Sequence, residues 1–127
     1  MARHPFRAAV ETHDLDALSD CLAEDVVLNS PVSFRPFAGR DAVSQVLRFV
    51  AATFEDFTYT AELADGDRVA LIFQARVGDK QVQGLDLLHT DADGLIDELT
   101  VMVRPLSGVI ALAEAMGPKV TAAGLKS

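Results

Sequence analysis

Two hydrophobic periods divide this chain, one near 3.6 residues in its first half and at its end, and one of 2 in between. Pro5 suits the first turn of a helix to about Thr12, whose apolar stripe is Phe6, Ala9 and Val10. Asp14 can cap a second short helix, in which Leu15, Leu18, Cys21 and Leu22 recur at helical spacing. Val26, Val27 and Leu28 predict a short strand that stops at Asn29-Ser30-Pro31. A loop from Val32 to Ala38 follows, with Phe34 and Phe37 set among the punctuation of Pro36 and Gly39. From Gly39 to about Phe54 the spacing predicts a long helix. Asp41 favours its positive end, and Val43, Val46, Leu47, Val50 and Phe54 line one face.

Alternation takes over after Phe54. The turn signals Asp65-Gly66, Gly78-Asp79 and Asp93-Gly94 divide residues 55–104 into four long strands. Turns this short join antiparallel neighbours, which makes a meander. Strands of roughly ten residues span on the order of 33 Å, long enough to require strong twist or bulges. A last helix is expected from about Pro105 to Met116, ended by Gly117-Pro118, with the tail after Lys119 fraying. No repeat, linker or low-complexity stretch interrupts residues 1–127, so one domain is expected. Helices and strands are segregated along the chain, an α+β pattern. It predicts a cone-shaped, curved antiparallel sheet wrapped around the N-terminal helices, with a C-terminal helix. The concave face is then core and pocket. The convex face still carries Leu85, Leu87, Thr100 and Met102, which predicts a homodimer joined through the outer face of the sheet.

Composition acts mainly by exclusion. A net charge of −8 and a pI near 4.6 oppose binding to nucleic acid and to an anionic membrane surface. The single cysteine, Cys21, rules out an internal disulfide and reads as a buried thiol. Without a secretory h-region or an apolar run near 18 residues, a cytoplasmic location is expected. His4, His13 and His89 fall on three separate elements with no metal-binding spacing, so neither a metal nor a cofactor is expected. Asp91-Ala92-Asp93-Gly94 lacks the remaining ligands of a calcium loop and reads as a hairpin turn.

One position departs from what folding alone asks for. Asp86 sits inside the run Val82-Gln83-Gly84-Leu85-Asp86-Leu87-Leu88-His89, where a charge is costly unless paired, neutralised or facing a cavity. Alternation puts Gly84 and Asp86 on one face, as it does Leu99, Val101 and Val103, and Val27 and Asn29. Arg68, Arg76 and Arg104 fall on positions that point away from a concave core. The resulting pocket is narrow and apolar, with Asp86 and Asn29 as its main polar groups. Its expected lining is Val27, Phe34, Phe37, Tyr59, Phe73, Gly84, Leu99 and Val101, with Phe34 and Phe37 on the loop at its mouth. The competing reading of Asp86 is a buried aspartate paired with a backbone N–H or with an arginine at a subunit boundary.

Several local sequences point the same way. They are Leu22-Ala23-Glu24-Asp25-Val26-Val27, then Asn29-Ser30-Pro31, then Phe37-Ala38-Gly39-Arg40-Asp41-Ala42-Val43, and Asp93-Gly94-Leu95-Ile96 between the closing strands. In this order they resemble the nuclear transport factor 2-like superfamily, in particular its SnoaL-like branch, from His4 to Met116. The resemblance implies the cone fold and a pocket for a small, mostly apolar organic ligand. It does not imply one activity, because the fold hosts unrelated ones. Against the limonene-1,2-epoxide hydrolase family, Asn29 looks like the water-positioning asparagine and Asp86 like the strand carboxylate that acts as acid or base. That family's arginine is replaced by Gly84, its second aspartate by Val101 and its tyrosine by Val27, so its two-carboxylate relay is lost. Ketosteroid isomerases on this fold abstract a proton next to a carbonyl, for which Asp86 is the available base and Tyr59 or Asn29 the available donor. Two readings follow. One is a cofactor-free isomerase, hydratase or hydrolase with Asp86 and Asn29 as catalytic residues. The other is a non-catalytic binding or dimerisation module that has lost the relay.

Overall fold

The computed structural model describes residues 4–125. Helix α1 (Pro5–Glu11) opens on Pro5, and His4 caps it by accepting the Phe6 N–H through Nδ1 at 3.1 Å. Helix α2 (Leu15–Asp20) is capped by Asp14, which accepts the Ala17 N–H at 3.0 Å. Strands β1 (Leu22–Asn29) and β2 (Phe37–Ala38) precede helix α3 (Arg40–Thr53). The meander follows as β3 (Glu55–Asp65), β4 (Arg68–Val77), β5 (Lys80–Thr90) and β6 (Ile96–Arg104), and α4 (Leu106–Ala122) ends the fold. Gly66, Gly78 and Gly94 take left-handed backbone angles at the three turns between these strands, a conformation glycine adopts without steric cost.

The six strands form one curved sheet in the order β2-β1-β6-β5-β4-β3. The meander is antiparallel throughout, whereas β1 returns to pair in parallel with β6, so the sheet is mixed. Register shifts in β3, between Glu55 and Thr58 and between Tyr59 and Ala61, bend the long outer strand. The helices lie on the concave face over Leu22, Leu71, Leu88, Ile96 and Leu99, all fully buried. On β5, Val82, Gly84, Asp86 and Leu88 point inward and their neighbours outward. Leu85, Leu87 and Thr100 are half-buried on the outer face and Met102 is exposed there.

Three elements differ from the sequence expectation. Strand β1 starts at Leu22, which periodicity assigned to the second helix, and β2 lies inside the expected loop. Helix α4 does not stop at Gly117-Pro118 but runs through Pro118 to Ala122. Packing explains this: Met116 is buried, Val120 and Leu125 pack against the core, and Lys119 Nζ donates to Thr53 Oγ1 at 3.0 Å. Tertiary contacts of this kind override a local helix breaker. Cys21 is half-buried rather than buried. Its thiol donates to the Ala17 carbonyl at 3.2 Å, and burial raises its pKa. No helix among the described residues is long and apolar enough to cross a membrane.

Phe73 packs directly on the Gly84 backbone. A Cβ built on Gly84 would lie 2.1 Å from Phe73 Cζ. The ring cannot withdraw easily, because Phe57 stacks on it at 4.7 Å and Phe54 packs at 5.5 Å. Gly84→Ala is therefore expected to cost about 1–3 kcal/mol of stability through overpacking, measured as a lowered midpoint in urea.

Candidate functional site

Between the concave sheet and the helices lies a cavity of about 630 Å³. Its walls are mostly aliphatic and aromatic, with Leu28, Phe73 and Val101 from the sheet and Val46, Leu112 and Met116 from the helices. Into this wall β5 delivers Asp86, the one buried polar or charged residue in the core of the described residues, at 7 % exposure. Its neighbours across the ladder, Leu71 and Val101, offer it nothing polar. The hydrogen bond it does make is long-range. Tyr59, two strands away on β3, reaches over β4 and donates its hydroxyl to Asp86 Oδ2 at 2.9 Å.

Burial pushes the Asp86 carboxyl up to about 7, and the Tyr59 hydrogen bond opposes that rise. Burial, and after it the neighbouring carboxylate, raises the Tyr59 hydroxyl far above its usual range, so it remains a donor. No ion pair of the described residues involves Asp86. A carboxyl held near neutrality in an apolar chamber can store or release a proton at physiological pH.

The structure sorts the expected lining residues. Phe37, Tyr59, Phe73 and Val101 share the cavity wall with Asp86. Leu99 points inward but is sealed in the core, and Gly84 lies beneath the Phe73 ring. Phe34 is fully exposed at the loop tip, while Pro31, Val32 and Ser33 beside it line the cavity. Val27 and Asn29 require correction, because both face away from the cavity. Parallel pairing of β1 with β6 sets Leu28 against Leu99 and Asn29 against Thr100, so Leu28 points inward and Asn29 outward. The Asn29 amide donates to Thr100 Oγ1 at 2.9 Å and to Glu98 Oε2 at 3.4 Å, on the outer face.

Two serines in the cavity wall were not anticipated. Ser30 Oγ accepts the Val32 N–H at 3.1 Å, which leaves its own proton free to donate. Ser33 Oγ is the only buried side-chain oxygen or nitrogen without a hydrogen-bond partner among the described residues. Alternation counted from an inward Leu28 points to Ser30, whereas nothing in the sequence marks Ser33. Among the described residues no group of three or more histidines, cysteines or acids is placed to hold a metal ion.

Residues 3–99 match the family model of the SnoaL-like domain. The chain belongs to that family. This SnoaL-like domain is 41 % identical to a steroid delta-isomerase of Pseudomonas aeruginosa, with a TM-score of 0.87 over 92 % of this chain and 87 % of that one. It is 34 % identical to an uncharacterised bacterial protein with a cystatin-like fold from Silicibacter pomeroyi, with a TM-score of 0.88 over 92 % and 83 % of the two chains. A de novo designed protein with a curved β-sheet is alike in fold alone, at 18 % identity and a TM-score of 0.71 over 93 % and 99 % of the chains. No curated protein is significantly similar to this SnoaL-like domain.

The position of Asp86 gives stability a definite pH dependence. Folded Asp86 keeps its proton to about pH 7, whereas the unfolded chain loses it near 3.9. Between those values the folded state binds more protons, so stability falls as pH rises from about 4 to about 7 and then levels off. His89 acts in the same sense but higher. Asp97 at Nδ1 and Asp67 at Nε2 (2.8 Å) hold its pKa up, so its contribution is present below its usual value and lost as pH rises through the raised one. The difference between wild type and Asp86→Asn isolates Asp86. In urea melts the variant is expected to lack the slope between pH 4 and 7 and to be neutral or stabilised at pH 8. A loss above about 2 kcal/mol at pH 7 would mean that the charge has a structural partner.

Proposed function

We propose that this chain is a cofactor-free isomerase for a rigid, apolar ketone of about steroid size, with Asp86 as its general acid and base. The observation that carries the reading is a carboxyl titrating near neutrality in the wall of an apolar cavity, with a phenol as its hydrogen-bond partner. The identity of 41 % with a protein called a steroid delta-isomerase supports the choice of ligand. A cavity of about 630 Å³ lies within the usual range of small-molecule sites, roughly 300–1,000 Å³.

The proposed reaction balances without an external partner. Ionised Asp86 takes a proton from the carbon beside the carbonyl, and the electron pair moves onto the carbonyl oxygen to give a dienolate. Protonated Asp86 returns the proton at the far carbon, and the double bond moves into conjugation. Tyr59 favours the ionised carboxylate through its hydrogen bond and fixes which oxygen faces the ligand. Ser30, Ser33, Thr58 and Thr121 bring hydroxyls to the cavity wall as candidate partners of the carbonyl oxygen. Asn29 has no part, because its amide serves the outer face.

A second reading, a binding module without turnover, is favoured by the absence of another buried carboxylate beside Asp86 among the described residues. A 5-ene-3-ketosteroid separates the two, with the conjugated product followed by ultraviolet absorbance. Turnover is expected in the wild type, and Asp86→Asn should lower it about 10²–10⁴-fold while affinity changes little. Binding without turnover would favour the module, and neither binding nor turnover would remove the steroid ligand altogether.

The same reading makes the protein a cytoplasmic homodimer joined through the outer face of the meander, where Met102 is 52 % exposed beside half-buried Ile72 and Leu85. Sedimentation at micromolar concentration is expected to give twice the 13.6 kDa chain mass. A species of the single-chain mass alone would remove the dimer.

A further inference from the structure

Helix α1 carries one cation inward. The Arg7 side chain is only 14 % exposed, and its guanidinium carbon lies 5.6 Å from the centroid of the Tyr59 ring. Its Nε pairs with Glu11 Oε2 and its Nη1 with Glu62 Oε1, both at 3.4 Å. A cation over an aromatic ring is attracted by the ring quadrupole, most strongly where water is excluded. Phe57 meets the same ring edge-on at 4.8 Å, and Phe73 does so at 6.4 Å. The phenol is thus held by aromatic neighbours from the sheet and by Arg7 from the helix, with its hydroxyl on Asp86.

We propose that Arg7 is a positioning residue for the Tyr59–Asp86 pair, fixing the phenol from α1 so that its hydroxyl donates into the carboxyl at the cavity wall. The inference rests on the reading of Asp86 as the group that moves the proton, but its test needs no substrate. The groups facing the pair are few. Asp86 meets Tyr59 from β3, with apolar Leu71 and Val101 beside it from β4 and β6. Tyr59 meets Arg7 and Glu11 from α1, and Glu62 on β3 faces both Arg7 and His4. Glu11 makes the phenol a weaker acid and Arg7 makes it a stronger one. Without Arg7 the carboxylates remain, the hydroxyl becomes a poorer donor, and ionised Asp86 loses support.

Carbon-detected NMR titration of the Asp86 carboxyl in the full chain tests this, comparing wild type with Arg7→Met, Arg7→Lys and Thr12→Ala. Thr12→Ala loosens the end of α1, where Thr12 Oγ1 donates to the Ala8 carbonyl at 2.8 Å, without touching Arg7. Arg7→Met is expected to raise the Asp86 midpoint by roughly half a unit, about threefold in proton affinity. Arg7→Lys keeps the charge without the planar stack and should restore most of the wild-type value, while Thr12→Ala should leave it unmoved. If Arg7→Met does not fold, Arg7→Lys decides: a midpoint close to wild type would support the proposal, and one raised by about half a unit although the charge is kept would overturn it. An unmoved midpoint in Arg7→Met, or an equal rise in Thr12→Ala, would overturn it as well. A wild-type carboxyl titrating in the ordinary range would instead remove the reading of Asp86 itself.

Discussion

Phe73 lies across the backbone of Gly84 so closely that no side chain fits between them, and the geometry of the site follows from that contact. With the ring down on the sheet, Phe57 can stack over it at 4.7 Å, and Tyr59 can stand edge-on to Phe57 at 4.8 Å. Standing there, Tyr59 spans β4 and brings its hydroxyl within 2.9 Å of Asp86. A missing methyl group on β5 is in this way transmitted through three rings to a carboxyl two residues further along the same strand. Such rigid aromatic packing is how a long curved strand like β3 presents a polar atom to within a few tenths of an ångström.

Electrostatics within the domain is unevenly distributed. Most charges lie on the surface, where pairs such as Arg76 with Glu55 and Asp56 are partly solvated and contribute little. Asp86 is the exception, carrying a desolvation cost that a single hydrogen bond offsets only in part. An apolar residue there would remove that cost but leave the buried Tyr59 hydroxyl without its acceptor. Groups kept against the interest of stability are where a protein's chemistry is commonly found.

The meander was legible because its determinants are local. The change of period after Phe54 and glycines at three turns settle four strands and their order without any knowledge of the rest. The inward direction of Asp86 could be read from Arg68, Arg76 and Arg104 falling on outward positions and from the resemblance, not from the leucines beside it, since Leu85 and Leu87 face outward. The face of β1 could not, since Val26, Val27 and Leu28 are all apolar and only the parallel register with β6 decides which of them turns inward. That register depends on a connection of some seventy residues between two strands that run the same way, from Asn29 to Thr100, and it moved Asn29 from the pocket to the outer face. The partner of Asp86 was hidden for a similar reason, because Tyr59 is 27 residues away and meets it only across a third strand. The run of α4 past Pro118 depends on what the helix packs against, which local signals do not carry.

The aromatic composition of the chain has a practical consequence. Tyr59 is its only tyrosine, and it has no tryptophan. Long-wavelength emission from the folded protein therefore comes from one phenol, whose hydroxyl is bound to Asp86 and whose ring lies under Arg7. Tyrosine emission is sensitive to what accepts the phenol's hydrogen bond and to charge near the ring. Unlabelled and in dilute solution, this protein carries an optical probe built into the wall of its own cavity, where a bound molecule, a proton gained at Asp86 or a displaced helix would each alter the light from a single known residue.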